Sequence, residues 1–120
     1  MTFLLDASKN GQIPLVTELL ESGTEVDAKD KHGMTPLMRA SLNRQLVIAL
    51  ALMDKGANVN ARCNHGKTPL VYASEEGHLD IVKALVDNGA NVNAVDKCGW
   101  TSLMLASLKG RLDIVKFLVD

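Results

Sequence analysis

The sequence predicts an all-α solenoid, a stack of helix–turn–helix units joined by extended fingers, and three observations predict it. The chain of 120 residues repeats itself every 33 residues. In the last three units the first helix starts at a threonine, and in the first three units a glycine follows the second helix. A fixed period in this range is typical of stacked short units rather than of one closed globule. The positions that keep the period are Gly33, Gly66 and Gly99, Thr35, Thr68 and Thr101, Leu37, Leu70 and Leu103, and Ala40, Ala73 and Ala106.

The first helix of each unit begins at a threonine, which proline follows in Thr35–Pro36 and Thr68–Pro69. The threonine oxygen can accept from a free backbone amide, and proline suits the first helical turn. We expect this helix to end near Leu42, Glu75 or Leu108. The periodic alanines within it allow a neighbouring helix to approach closely.

The second helix is predicted over residues 46–54, 79–87 and 112–119, where apolar residues recur at helical spacing. Gly56 and Gly89 follow it, at the place where a left-handed cap is needed. An extended finger then follows, which should close through a turn at Gly66 or Gly99.

The period divides a single domain, residues 1–120, into four units: 1–29, 30–62, 63–95 and 96–120. The first unit is comparatively polar, as the end of a stacked array must be. The last unit stops at Asp120, before any glycine cap or finger. We therefore expect either a longer array or a final helix that is frayed or covered by a partner.

Composition excludes several classes of protein. The net charge is −1 and the pI is near 6.3, which does not favour binding to nucleic acid. No export leader or membrane-spanning stretch is expected, so membrane insertion is not predicted. The presence of only two cysteines, Cys63 and Cys98, favours a reducing, intracellular setting. The cytoplasm is the first expectation and the nucleus is the second.

The repeat unit resembles the ankyrin repeat. The resemblance rests on the Thr-Pro-Leu triplet, the string GHLDIVKALVDNGANVNA from Gly77 to Ala94, and the step of 33 residues. It covers essentially the whole chain. The chain departs from the family pattern at Arg44, where the family prefers glycine, and at Ser102, where it has proline. A third departure is the absence of the histidine usual after the triplet, since Met38, Val71 and Met104 stand there.

The resemblance implies that the fingers are β-hairpins and that, together with the first helices, they form a concave face that binds a partner protein. Tryptophan, tyrosine and arginine dominate binding energy at interfaces, and Trp100 is the only tryptophan. A tryptophan half-buried for stability is the alternative. The residues predicted to bind the partner lie at finger positions and at exposed first-helix positions of this face. They are Met34, Arg39, Leu42, Lys67, Tyr72, Glu76, Trp100, Leu105 and Leu108.

Two further surfaces are predicted. Val47 and Leu50 stand at outward positions of a second helix that are charged in the later units, so we expect a convex apolar contact such as self-association. An apolar spot without function is about equally supported. Asn60 and Asn93 lie in a context similar to ankyrin asparagines that hydroxylases modify, although a role in tying the turn backbone together is the stronger interpretation.

No enzymatic, metal or cofactor site is predicted. His32, Cys63, His65 and Cys98 lie near successive finger tips, but units stack about 10 Å apart, whereas zinc ligands converge within about 2.3 Å of the ion. The predicted function is non-catalytic recognition of a protein partner. Three settings stay open: a free-standing inhibitor or adaptor, a regulatory or targeting segment of a larger enzyme or channel, and, ranked last, an engineered binder.

Overall fold

The computed structural model describes residues 3–120, which form an elongated stack of helical hairpins measuring 39 × 25 × 22 Å. The first helices of the four repeats lie side by side in one layer, and the second helices form a parallel layer behind them. The first layer contains α1 (Phe3–Asn10), α3 (Pro36–Leu42), α5 (Pro69–Glu76) and α7 (Ser102–Leu108); the second contains α2 (Ile13–Glu21), α4 (Leu46–Asp54), α6 (Leu79–Asp87) and α8 (Leu112–Val119).

The helix starts and stops agree with the sequence prediction. The hydroxyls of Thr35, Thr68 and Thr101 accept from the backbone amide three residues on, at 3.2–3.3 Å. Gly56 and Gly89 adopt left-handed φ values of 86° and 91°, as their predicted role as helix caps requires. These local backbone signals therefore fix where each hairpin begins and ends.

The core is continuous between the two layers. The first layer buries alanine at the same position of every repeat, so that neighbouring helices pack closely. The second layer supplies the larger side chains. The fully buried members of this core include Ala7, Ala40, Ala73 and Ala106, with Ile48, Leu52, Ile81, Leu85 and Ile114.

Side chains at the start of α6 and α8 tie the third and fourth repeats to the repeat before them. His78 Nε2 lies 3.1 Å from the carbonyl oxygen of Leu42, and Arg111 Nε donates to the carbonyl oxygen of Glu75 at 3.1 Å. His78 joins two repeats, because its ring reaches the last carbonyl of the preceding first helix.

The fingers differ from the β-hairpins that the family resemblance implied. Each finger tip is a tight turn closed by two backbone hydrogen bonds, for example Cys63 N to Lys67 O at 3.0 Å and Gly66 N to Cys63 O at 2.8 Å. Within residues 3–120 the β-pairing is limited to an isolated antiparallel bridge between Val95 and Thr101. Hairpin fingers are therefore not confirmed.

The last repeat exposes apolar positions that the other repeats bury. Met104 is 49% exposed, whereas Leu5, Met38 and Val71 at the same position are at most 3% exposed. The difference arises because those three side chains pack beneath the following repeat.

Candidate recognition face

The exposed side of the first-helix layer, together with the fingers, forms the surface called here the recognition face. Threonine caps fix the start of α3, α5 and α7 directly after a finger, so finger and helix residues nine positions apart come together. At the N-terminal end a cavity of about 420 Å³ opens on this face. Its lining residues are Leu5, Asp6, Asp30, Lys31, His32 and Arg39.

In the second repeat Arg39 is held by an ion pair across the base of the finger. Its guanidinium lies 2.8 Å from Asp30 Oδ2, while Asp30 Oδ1 accepts from the amides of His32 and Met34 at 2.8 and 3.0 Å. Burial alone would raise the pKa of Asp30. The hydrogen bonds from Arg39 and the two amides outweigh it, and the pKa is lowered below its ordinary value. Arg39 is thus presented in a fixed position.

The third repeat replaces that pair with Cys63 and Tyr72, at the same two positions. The Tyr72 hydroxyl donates to Met34 Sδ at 3.3 Å and lies 3.2 Å from Cys63 Sγ. Burial and the neighbouring Cys63 raise the pKa of Tyr72, so its hydroxyl stays protonated. Because Met34 belongs to the preceding repeat, Tyr72 also locks two repeats together.

Lys67 completes this cluster. Its ammonium group lies 2.9 Å from Glu75 Oε1 and 5.6 Å from the centre of the Tyr72 ring. A cation over a tyrosine face and a carboxylate at hydrogen-bond distance both restrict the lysine side chain. The Lys67 ammonium and the Glu75 carboxylate therefore lie in restricted positions beside Tyr72.

The other predicted residues vary in accessibility. Trp100 is 37% exposed and Leu108 is 64% exposed, whereas Leu42 is half-buried and Glu76 is exposed. The Trp100 backbone amide donates to Asp96 Oδ1 at 2.9 Å, which fixes the finger that carries Trp100. Trp100 is consequently partly available on the recognition face.

The predicted exposure of Met34 and Leu105 was wrong, since each side chain is only 6% exposed. Met34 is covered because Tyr72 of the next repeat reaches over it. Leu105 stands at the position of Arg39 and Tyr72 but has no polar end to extend toward water, so its apolar surface is buried.

Sequence reasoning missed Asp30, Cys63 and Asp96, which occupy one position of successive fingers. The signal was present, because an aspartate three residues before a glycine is typical of a turn in which the carboxylate binds nearby amides. The two aspartates bind amides in this way. Cys63 instead faces Tyr72.

The remaining predicted residues lie elsewhere. Val47 and Leu50 are on the outer side of α4 and are 57% and 45% exposed. Asn60 donates to Gly89 O at 3.2 Å and accepts from Asn91 N at 2.7 Å. Among residues 3–120 the Asn93 side chain makes no corresponding hydrogen bond, although Asn93 is also exposed.

Residues 3–120 bring together no group of three or more histidine, cysteine or acidic side chains that could hold a metal ion. Cys63 and Cys98 are free thiols. None of the helices described has the length and apolar character needed to cross a membrane.

Stacked helical hairpins with an exposed layer of first helices and fingers define a helical-repeat interaction scaffold. The family model described as ankyrin repeats (3 copies) matches residues 4–96 and 64–120. The chain therefore belongs to the ankyrin repeat family, whose members are generally protein–protein interaction modules and typically non-catalytic. A search of curated proteins found no significant match to this chain.

Proposed function

We propose that the chain binds a protein partner through the recognition face, without catalysis. The observation that carries this proposal is the way Arg39, Tyr72 and Trp100 are held. Arg39 is fixed by Asp30, Tyr72 by Met34 and Cys63, and the Trp100 finger by Asp96.

These three residue types are the ones enriched among interface hot spots. A side chain held in place before binding loses less conformational freedom when a partner docks, so more of its contact energy contributes to affinity. Tyr72 and Trp100 offer flat aromatic surface, and Lys67 beside Tyr72 offers a charge of fixed position. This combination supports recognition of a specific protein surface.

The test is affinity capture from extracts of the native cell, with the wild type beside a Trp100→Ala, Tyr72→Ala double variant. A Leu112→Ala, Val119→Ala variant is the matched control, because it removes exposed apolar side chains from the second-helix layer. Circular dichroism confirms that all three proteins fold. Partners should be lost from the Trp100, Tyr72 variant alone. Identical capture by all three proteins would overturn the proposal.

A further inference from the structure

The acidic residues of the fingers point inward, where backbone amides occupy them. Asp30 Oδ1 accepts two amides and its Oδ2 binds Arg39. Asp96 is 8% exposed, and its Oδ1 accepts from the amides of Cys98 and Trp100 at 2.8 and 2.9 Å. The equivalent residue of the third repeat is Cys63, which is buried and faces Tyr72. The fingers therefore present none of these carboxylates to a partner.

The basic residues of the same fingers point outward. The fingertip surface, as we define it, consists of six exposed residues, Lys31 and His32, Asn64 and His65, and Lys97 and Cys98. Within residues 3–120 neither Lys31 nor Lys97 has a carboxylate at ion-pair distance, since the ion pairs there join Arg39, Arg44 and Lys67 to their partners. Asp6, which is also exposed, lines the cavity together with Lys31.

The three tips are joined into one row. Asn64 N donates to His32 O, and Lys97 N donates to His65 O, both at 3.0 Å. The Asn64 side chain also donates to Lys31 O at 3.0 Å. With adjacent repeats about 10 Å apart, the two lysines are separated by roughly 20 Å, the reach of about six extended residues.

We propose that the fingertip surface binds an extended, aspartate- or glutamate-rich segment of the protein partner, with carboxylates at Lys31 and Lys97. The inference rests on the proposed function and names the chemistry of the partner. Complementary charge at an exposed surface contributes to association rate and specificity. A nucleic acid fits less well, because the chain has a net charge of −1 and a pI near 6.3 and so lacks an extended basic field.

The experiment uses a fluorescent peptide of alternating glutamate and serine, about twelve residues long so that it spans both lysines. Fluorescence anisotropy measures its binding to the wild type and to a Lys31→Glu, Lys97→Glu variant. A Lys55→Glu, Lys116→Glu variant changes the net charge equally at exposed positions on the second-helix side. A Lys31→Gln, Lys97→Gln variant removes the charges without reversing them, in case the reversed variant fails to fold.

We expect binding about tenfold weaker for the Lys31→Glu, Lys97→Glu variant, an intermediate loss for the glutamine variant, and a loss below about threefold for the control. Wild-type binding should also weaken when salt shortens the Debye length from about 10 Å at 0.1 M to about 3 Å at 1 M. The inference is overturned if the wild type does not bind the peptide at low salt, or if the control loses as much affinity as the fingertip variants. Tighter binding of a thymidine oligonucleotide of equal charge would also overturn it.

The two proposals fail in different ways. If capture from cell extracts depends on Trp100 and Tyr72 but is unchanged by Lys31→Glu, Lys97→Glu, the recognition face stands and the acidic partner is wrong. If capture is independent of Trp100 and Tyr72, the recognition face itself is wrong, whatever the peptide does.

Discussion

Arg44 carries a measurable conformational cost at the end of α3. Its φ is 55°, and among residues 3–120 every other residue with a positive φ is a glycine. Glycine occupies the same position of the other repeats, as Gly11, Gly77 and Gly110. A left-handed backbone costs a residue with a Cβ atom roughly 1 kcal/mol or more, because Cβ crowds the following carbonyl oxygen. Arg44→Gly should relieve that crowding.

The substitution also removes an ion pair. Arg44 Nε lies 3.6 Å from Asp80 Oδ2, and the two side chains are 65% and 34% exposed. A pair this open to solvent contributes about 0.2–1 kcal/mol. Arg44→Ala loses only the ion pair, whereas Arg44→Gly loses the pair and gains backbone relief. We therefore expect the glycine variant to exceed the alanine variant in unfolding free energy by about 1 kcal/mol.

Urea titrations and thermal unfolding of the two variants and the wild type measure this difference, which corresponds to about 3–6 °C in Tm. Asp80→Asn supplies the ion-pair contribution alone, because asparagine can still accept from the Ile81 amide that Asp80 now binds. A glycine variant no more stable than the alanine variant would refute the assignment of strain to the left-handed backbone.

Four other outcomes are expected. Thr68→Ala should cost about 1 kcal/mol of unfolding free energy by urea titration, with Thr68→Ser largely unaffected, because only the alanine variant loses the helix cap. The pKa of Asp30 in the folded protein lies below its ordinary value of 3.8. Its contribution to stability is therefore present above pH 3.8 and is lost as the pH falls toward the folded pKa. Below about pH 4 the urea midpoint of Asp30→Asn should accordingly fall less with decreasing pH than that of the wild type. Asn60→Ala should lower the unfolding free energy by about 1–2 kcal/mol through two lost hydrogen bonds, while Asn93→Ala should stay within about 0.5 kcal/mol, and equal effects would contradict the assigned structural role. Leu50→Glu should shift the sedimentation coefficient toward that of a monomer, and an unchanged mass distribution would count against a contact on the outer side of α4.

The helices could be predicted because their boundaries depend on local chemistry. Thr35 caps α3 and Gly56 ends α4 through backbone groups within a few residues, and both signals recur with the repeat. The accessibility of the site depended on neighbours that the repeat pattern does not specify. Met34 is buried because a tyrosine happens to stand 38 positions later, and its hydroxyl reaches the methionine sulfur.

The fingertip polarity was equally hidden from sequence reasoning. Asp30 and Lys31 are adjacent in the sequence and count as opposite charges that cancel. In the folded finger the carboxylate binds amides and Arg39, while the ammonium group remains in solvent. A net charge counted from the sequence cannot distinguish a charged group that is paired within the protein from one that is exposed to solvent. The turn conformation makes that distinction.

The side-by-side packing of the first helices has a mechanical consequence. Each hairpin is held chiefly by the hairpins directly before and after it, through links such as Arg111 to Glu75 O and His78 to Leu42 O. A pulling force applied at Asp120 would therefore meet a series of separate resistances, and α8 would detach while α1 through α4 kept their arrangement. The molecule should unfold repeat by repeat from the pulled end, and a bound ligand that contacts several fingers would hold those repeats together against the force.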